Sequence, residues 1–239
     1  MENKHTGIPT LYISWLLMLL SPATLLFAQQ QISNPGFEFW EEIRSGVNEP
    51  IKWNSIKNSD GSMAKKLAPD VISRSEVAHS GKYSLKLVNK STIGIVANGM
   101  ITNGAIHGET NKDKSYVYTN AKSNEFSTPF VSLPDSIVGW YIYTPQEKDS
   151  AMVVILLHRE KVTLPDHGTK QNWVGGVKLM LGATKKDEWK RFSVHVQYFR
   201  KDVIPQYMLL VLSAGNRKNA VEGSEAYFDD LQLIYNKNK

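Results

Sequence analysis

The hydrophobic positions of this chain recur with period two far more often than with the 3.6-residue period of a helix. In "YSLKLVN", Tyr83, Leu85 and Leu87 fall on one side and Ser84, Lys86 and Val88 on the other, which predicts a half-buried strand. "WKRFSVHVQYF" behaves alike, with Phe192, Val194, Val196 and Tyr198 on one face and Arg191, Ser193, His195 and Gln197 on the other. "AMVVILLHR" and "YMLLVLSAG" are instead continuous apolar runs bounded by turn residues, as expected of strands covered on both faces or placed at the centre of a sandwich.

Clusters of turn formers separate these runs: "NSDGS", "HSGK", "TPQEKDS" and "LPDHG", with Asn98-Gly99 and Asn103-Gly104 as dipeptides suited to positive φ. No segment sustains a helical apolar stripe, and the best candidate is a turn or two around "GFEFWEEIR". The polar segment 108–124, "GETNKDKSYVYTNAKSN", reads as a mobile loop. Short strands with regular turn punctuation predict an all-β fold, a jelly-roll β-sandwich of two antiparallel sheets.

The first residues form a different unit. Lys4 and His5 precede an apolar run from Leu11 to Phe27, broken at Ser21 and Pro22 and followed by Ala28 and "QQQ". That is the pattern of a secretory signal peptide, with cleavage expected after Ala28. A signal anchor is the alternative, and it too leaves the domain outside the membrane. Removing those 28 residues leaves 211, takes one Glu and one Lys, and keeps the formal charge at +5. One domain over 29–239, secreted to the periplasm or the cell surface and without a further membrane span, is the expectation.

Cysteine is absent from the sequence, which excludes disulfides, thiolate nucleophiles and Cys-based zinc sites. Lys and Arg are scattered or sit in short pairs such as Lys65-Lys66 and Lys185-Lys186, so the positive balance predicts a solvated surface and no nucleic-acid partner. Among the histidines, none forms a metal-ligand pair, and no nucleophile elbow or phosphate loop is present. His158 ends an apolar run, and Asp166 adjoins His167 in a turn where the two side chains would diverge. No catalytic residues are assigned.

"NPGFEFW", "PIKW" (Pro50–Trp53), "VAHSGKYSLKL" (Val77–Leu87), "GWYIYTP" and "YFDDLQLIY" follow one another in an order that resembles galactose-binding-domain-like jelly rolls used as carbohydrate-binding modules. The match is nearer to the carbohydrate metabolism domain family of secreted Bacteroidetes proteins, and it runs from Asn34 to Tyr235. The resemblance implies that the first and last strands lie side by side, bringing Glu38 near Asp229 or Asp230. It also implies a structural calcium there, held by those carboxylates with backbone carbonyls from Gly81 and Lys82. The alternative is that Glu38 caps backbone amides and the two Asp residues pair with Lys or bond the sheet edge.

Sugars stack their C–H faces on Trp and Tyr and need polar groups at the rim. Trp173, among polar and glycine neighbours in "TKQNWVGG", is a candidate platform, as are Tyr116 and Tyr118 in the polar segment and Tyr141 and Tyr143 on one face of "GWYIY". By resemblance, Trp40, Trp53, Trp140 and Trp189 belong to the core or to strand ends. The expected function is non-catalytic capture of a polysaccharide or oligosaccharide, with a structural or adhesive sandwich that contacts other surface proteins as the second reading. An enzyme on the same fold ranks last.

Overall fold

The computed structural model describes residues 29–217 and 220–236; the leader and its cleavage point lie outside them. Eight strands build the framework: β1 (Ser84–Val88), β2 (Met100–Thr102), β3 (Ser136–Thr144), β4 (Ala151–His158), β5 (Trp173–Leu181), β6 (Lys190–His195), β7 (Tyr207–Ser213) and β8 (Glu225–Ile234). Sheet I has the order β6-β3-β8-β1, extended by an edge strand at Ile72–Ser75. Sheet II has the order β5-β4-β7-β2, extended at the other edge by Gln197–Tyr198. Along the chain the strands therefore visit the sheets as I, II, I, II, II, I, II, I, and every pairing is antiparallel. That order is a jelly roll.

The core lies between the sheets. Alternation sends Ala151, Val153, Ile155 and Leu157 of β4 and Met208, Leu210 and Leu212 of β7 inward, to meet Leu85, Leu87, Ile137 and Phe228 of sheet I. β8 keeps one buried face only because it is bulged. Ala226 and Phe228 point inward from even positions, Leu231 and Leu233 from odd ones, and the register against β3 slips between Val138 and Trp140. Asp230, at φ 48°, is the residue of that bulge.

The opening segment runs beside β8. Leu231 donates its amide to the Pro35 carbonyl at 3.0 Å. The Gln31 side chain bonds both backbone groups of Leu233, at 2.8 and 2.9 Å. The expected neighbourhood of the two ends is thus present, although the first residues pair as an irregular stretch and not as a strand.

Two local expectations are corrected. "GFEFWEEIR" is not helical: Trp40–Arg44 is a strand that forms a hairpin with Val47–Pro50. The helix is α1, Ser62–Leu67, whose six residues are too few to show a period in the sequence. The segment 108–124 is no structureless loop either. It contains the strand Tyr116–Tyr118, which pairs with Ala105–His107 and with Thr163–Leu164 as a small sheet lying over sheet II. Among the described residues, no helix is long and apolar enough to cross a membrane.

Candidate functional site

The carboxylates of the two ends form a seam. Glu38 Oε1 accepts the amides of Lys82 at 2.9 Å and Tyr83 at 3.1 Å. Asp229, fully buried, accepts the amides of His79 at 2.8 Å and Ser80 at 3.3 Å on one oxygen and that of Asp230 at 2.8 Å on the other. Burial pushes the Asp229 carboxyl up to about 6, against the opposing pull of those amides. Asp230 binds His79 Nδ1 at 2.6 Å and the Ser80 hydroxyl at 2.7 Å. A Cβ on Gly36 would stand 3.4 Å from Asp229 Oδ1, 3.6 Å from Asp230 Oδ1 and 3.9 Å from Glu38 Cγ, so the three acids ring one glycine.

Calcium takes six to eight oxygens from carboxylates, carbonyls and water. Here the turn at Gly81 and Lys82 presents N–H groups, not carbonyls, to the Glu38 carboxylate, and both oxygens of Asp229 and of Asp230 already accept hydrogens. Among the described residues, no group of three or more His, Asp or Glu side chains is placed to hold a metal ion. This donor set does not match a calcium site. Gly81 enters as a kink at φ 65°, where a Cβ would run into the Glu38 carboxylate, and Lys82 as an amide donor. Glu38 caps backbone amides, as the alternative reading has it, whereas Asp230 bonds the His79 and Ser80 side chains and not a lysine.

Two of the candidate sugar platforms are corrected. Tyr141 and Tyr143 are 3% and 0% exposed, because the face of β3 that carries them is the core face. Neither can stack on a ligand. Trp53 is in the core, as expected. Trp140 lies on the outer face of sheet I, but the His79 ring covers it at 3.9 Å, with Trp189 at the edge of that imidazole.

The outer face of sheet II is different. Leu156 of β4 and Leu209 and Val211 of β7 point away from the main core and join Ile106 and Val117 of the small sheet in a second apolar cluster. Beside this cluster the face stays open as a groove of about 570 Å³, lined by Met152 and Val154 of β4 and roofed by α1 and the hairpin Lys90–Ala97. Trp173 lines it, half-buried, with Phe199 at 6.1 Å and Lys170 Nζ 5.9 Å from its ring. Its indole N–H is buried without a hydrogen-bond partner.

An aromatic shelf borders the groove. Tyr116, a lining residue, stacks on His107 at 4.7 Å, meets the edge of His167 at 5.2 Å and leans on Tyr118 at 5.7 Å. His107 and Tyr116 are directly opposite in the strand register, which holds their rings together. Asp60 binds His107 Nδ1 at 3.0 Å and accepts the Tyr118 hydroxyl at 3.2 Å. Glu109 faces the other imidazole nitrogen at 3.4 Å. Burial first, and then the Asp60 charge, hold the Tyr118 phenol above its ordinary range, so it stays a donor at neutral pH.

Of the sequence candidates, the structure therefore puts Tyr116 and Tyr118 on this shelf and Trp173 in the adjoining groove. His107, Asp60 and Glu109 were missed. The short runs "AIH" and "YVY" hold the pair His107 and Tyr116, and nothing in the pattern of side chains points to Asp60 or Glu109.

No family model and no curated protein matches the chain. Solved structures of similar form include TmCBM61 in complex with β-1,4-galactotriose, at 15% identity over 86% of this chain and 97% of that one, TM-score 0.40. Another is the CBM22-1 xylan-binding domain of Paenibacillus barcinonensis Xyn10C, at 11% over 68% and 79%, TM-score 0.33. A third is the K3 cleaved adhesin domain of Lys-gingipain from Porphyromonas gingivalis, at 10% over 86% and 100%, TM-score 0.42. Fold and site together define a jelly-roll sandwich with an aromatic shelf and a groove on the outer face of one sheet.

Proposed function

We propose that the protein is an exported, non-catalytic carbohydrate-binding module whose glycan lies on the shelf formed by Tyr116 and Tyr118. One observation carries the reading: a Tyr116–His107 ring stack, half-exposed, is flanked by the carboxylates of Asp60 and Glu109. A pyranose needs that combination, an aromatic face for its C–H groups and acceptors at the edge for its hydroxyls. The acids act here as hydrogen-bond acceptors. The leader pattern of the first 28 residues supports the export part of the reading.

Affinity electrophoresis through gels containing plant, host and bacterial polysaccharides tests it. At least one glycan should retard the protein, and Tyr116→Ala should remove the retardation while the melting temperature stays in place. No retardation across the panel, or equal retardation of the variant, would overturn the proposal.

A further inference from the structure

The groove beside the shelf does not have the chemistry of a sugar site. Its floor is the aliphatic outer face of sheet II, Met152, Val154 and Val211, and its roof includes Leu67 and Ile95. A glycan drawn into this space would lose water from its hydroxyls without replacement partners, which disfavours it there. At about 570 Å³ the space is nonetheless of the size that takes a small-molecule ligand. Gly176, also a lining residue, lies so close to the neighbouring strand that a Cβ would stand 2.6 Å from the Ile155 carbonyl oxygen.

The charges at the groove are predominantly positive. Lys112 and Lys178 both line it, and neither has an ion-pair partner among the described residues. Arg217, also lining, is committed to the backbone carbonyls of Lys112 at 3.0 Å, Asp113 at 3.4 Å and Ser115 at 2.5 Å. The single lining carboxylate, Glu109, faces His107. An aliphatic channel with two uncompensated ammonium groups is complementary to an aliphatic chain that ends in an anion.

We infer that this groove binds a linear alkyl anion, a long-chain carboxylate being the simplest member, with the chain between Val154 and the Leu67–Ile95 roof and the head group at Lys112 and Lys178. The site adjoins the glycan shelf but does not depend on it, and sugar binding and alkyl binding can fail separately.

Titration calorimetry and tryptophan fluorescence with palmitate below its micelle concentration test the inference. One site of micromolar affinity is expected, with a change in emission that disappears in Trp173→Phe. Methyl palmitate should bind about tenfold more weakly. Lys112→Ala with Lys178→Ala should bring palmitate down to the affinity of the ester. Val154→Arg, and independently Ile95→Glu on the more exposed hairpin, should abolish binding of both. Absence of palmitate binding, equal affinity for acid and ester, or unaltered binding in folded Val154→Arg or Ile95→Glu would each overturn it.

Discussion

Glu38 Oε1 accepts the Lys82 amide at 2.9 Å although 44 residues separate the two in the chain. The same oxygen takes the Tyr83 amide, so one carboxylate fastens the opening segment to the turn that leads into β1. Its role here is that of an acceptor, and the charge is secondary. Glu38→Gln, which keeps an oxygen in place, should lose less than about 1 kcal/mol, whereas Glu38→Ala strands two amides and should lose about 1–3 kcal/mol. Urea unfolding of the two variants checks this.

Gly81 meets the same carboxylate from the other side. A side chain there is opposed twice, by φ of 65° and by contact with Glu38. Gly81→Ala should destabilise by about 1–3 kcal/mol, and combining it with Glu38→Ala should recover part of that loss, because the clash goes with the carboxylate.

The seam also bears on calcium. With the carboxylates engaged by amides, excess chelator should leave the melting temperature unchanged and added calcium should not raise it. A calcium-dependent rise in the wild type that Glu38→Gln abolishes would show that the turn rearranges to offer oxygens.

His158 gives a pH signature. It is fully buried, its Nδ1 donates to the Glu160 carbonyl at 3.1 Å, and its Nε2 lies 2.9 Å from Thr119 Oγ1, a hydroxyl that can donate to the neutral ring. Burial pulls its pKa down from 6.5 to about 4. Between those values the unfolded chain binds the proton and the folded one does not, so stability falls as pH drops below 6.5. Asp229, raised to about 6 by burial, works in the opposite sense: its contribution is present at low pH and is lost as pH rises through 6. The wild-type profile mixes the two, but the difference between wild type and His158→Gln isolates the first. From pH 7 to pH 4.5 the variant should lose roughly 2–3 kcal/mol less than the wild type, measured by denaturant unfolding at each pH. Parallel curves would place the proton on His158 in both states.

The sandwich was legible because alternation is a one-dimensional record of two faces. It placed β1 and β6, and the unbroken apolar runs of β4 and β7 marked strands covered on both sides. In the structure the second cover of β4 and β7 is the small sheet and the groove, so those runs were also the sequence signal for the site. The tyrosines of the shelf stood out as aromatics in a polar segment, but their partners did not: Asp60 lies in a bend and His107 on a strand of three residues, too short to show which side chains face Tyr116. Tyr141 and Tyr143 misled for a related reason: period two states that they share a face but not which face is inside, and a tyrosine suits either. The acids at the ends were found by resemblance. Their bonding depends on the bulge at Asp230 and on which way the turn at Gly81 points its amides, neither of which a pattern of side chains specifies.

The claim on which the functional account rests is that sugar meets the protein at Tyr116. Calorimetric titration of the most strongly retarding oligosaccharide into wild type, Tyr116→Ala and Trp140→Ala tests it most directly. The account predicts at least a tenfold loss of affinity for Tyr116→Ala and wild-type affinity for Trp140→Ala, whose ring is already covered by His79. Loss confined to Trp140→Ala, with Tyr116→Ala binding as wild type, would contradict it and move the site to the outer face of sheet I.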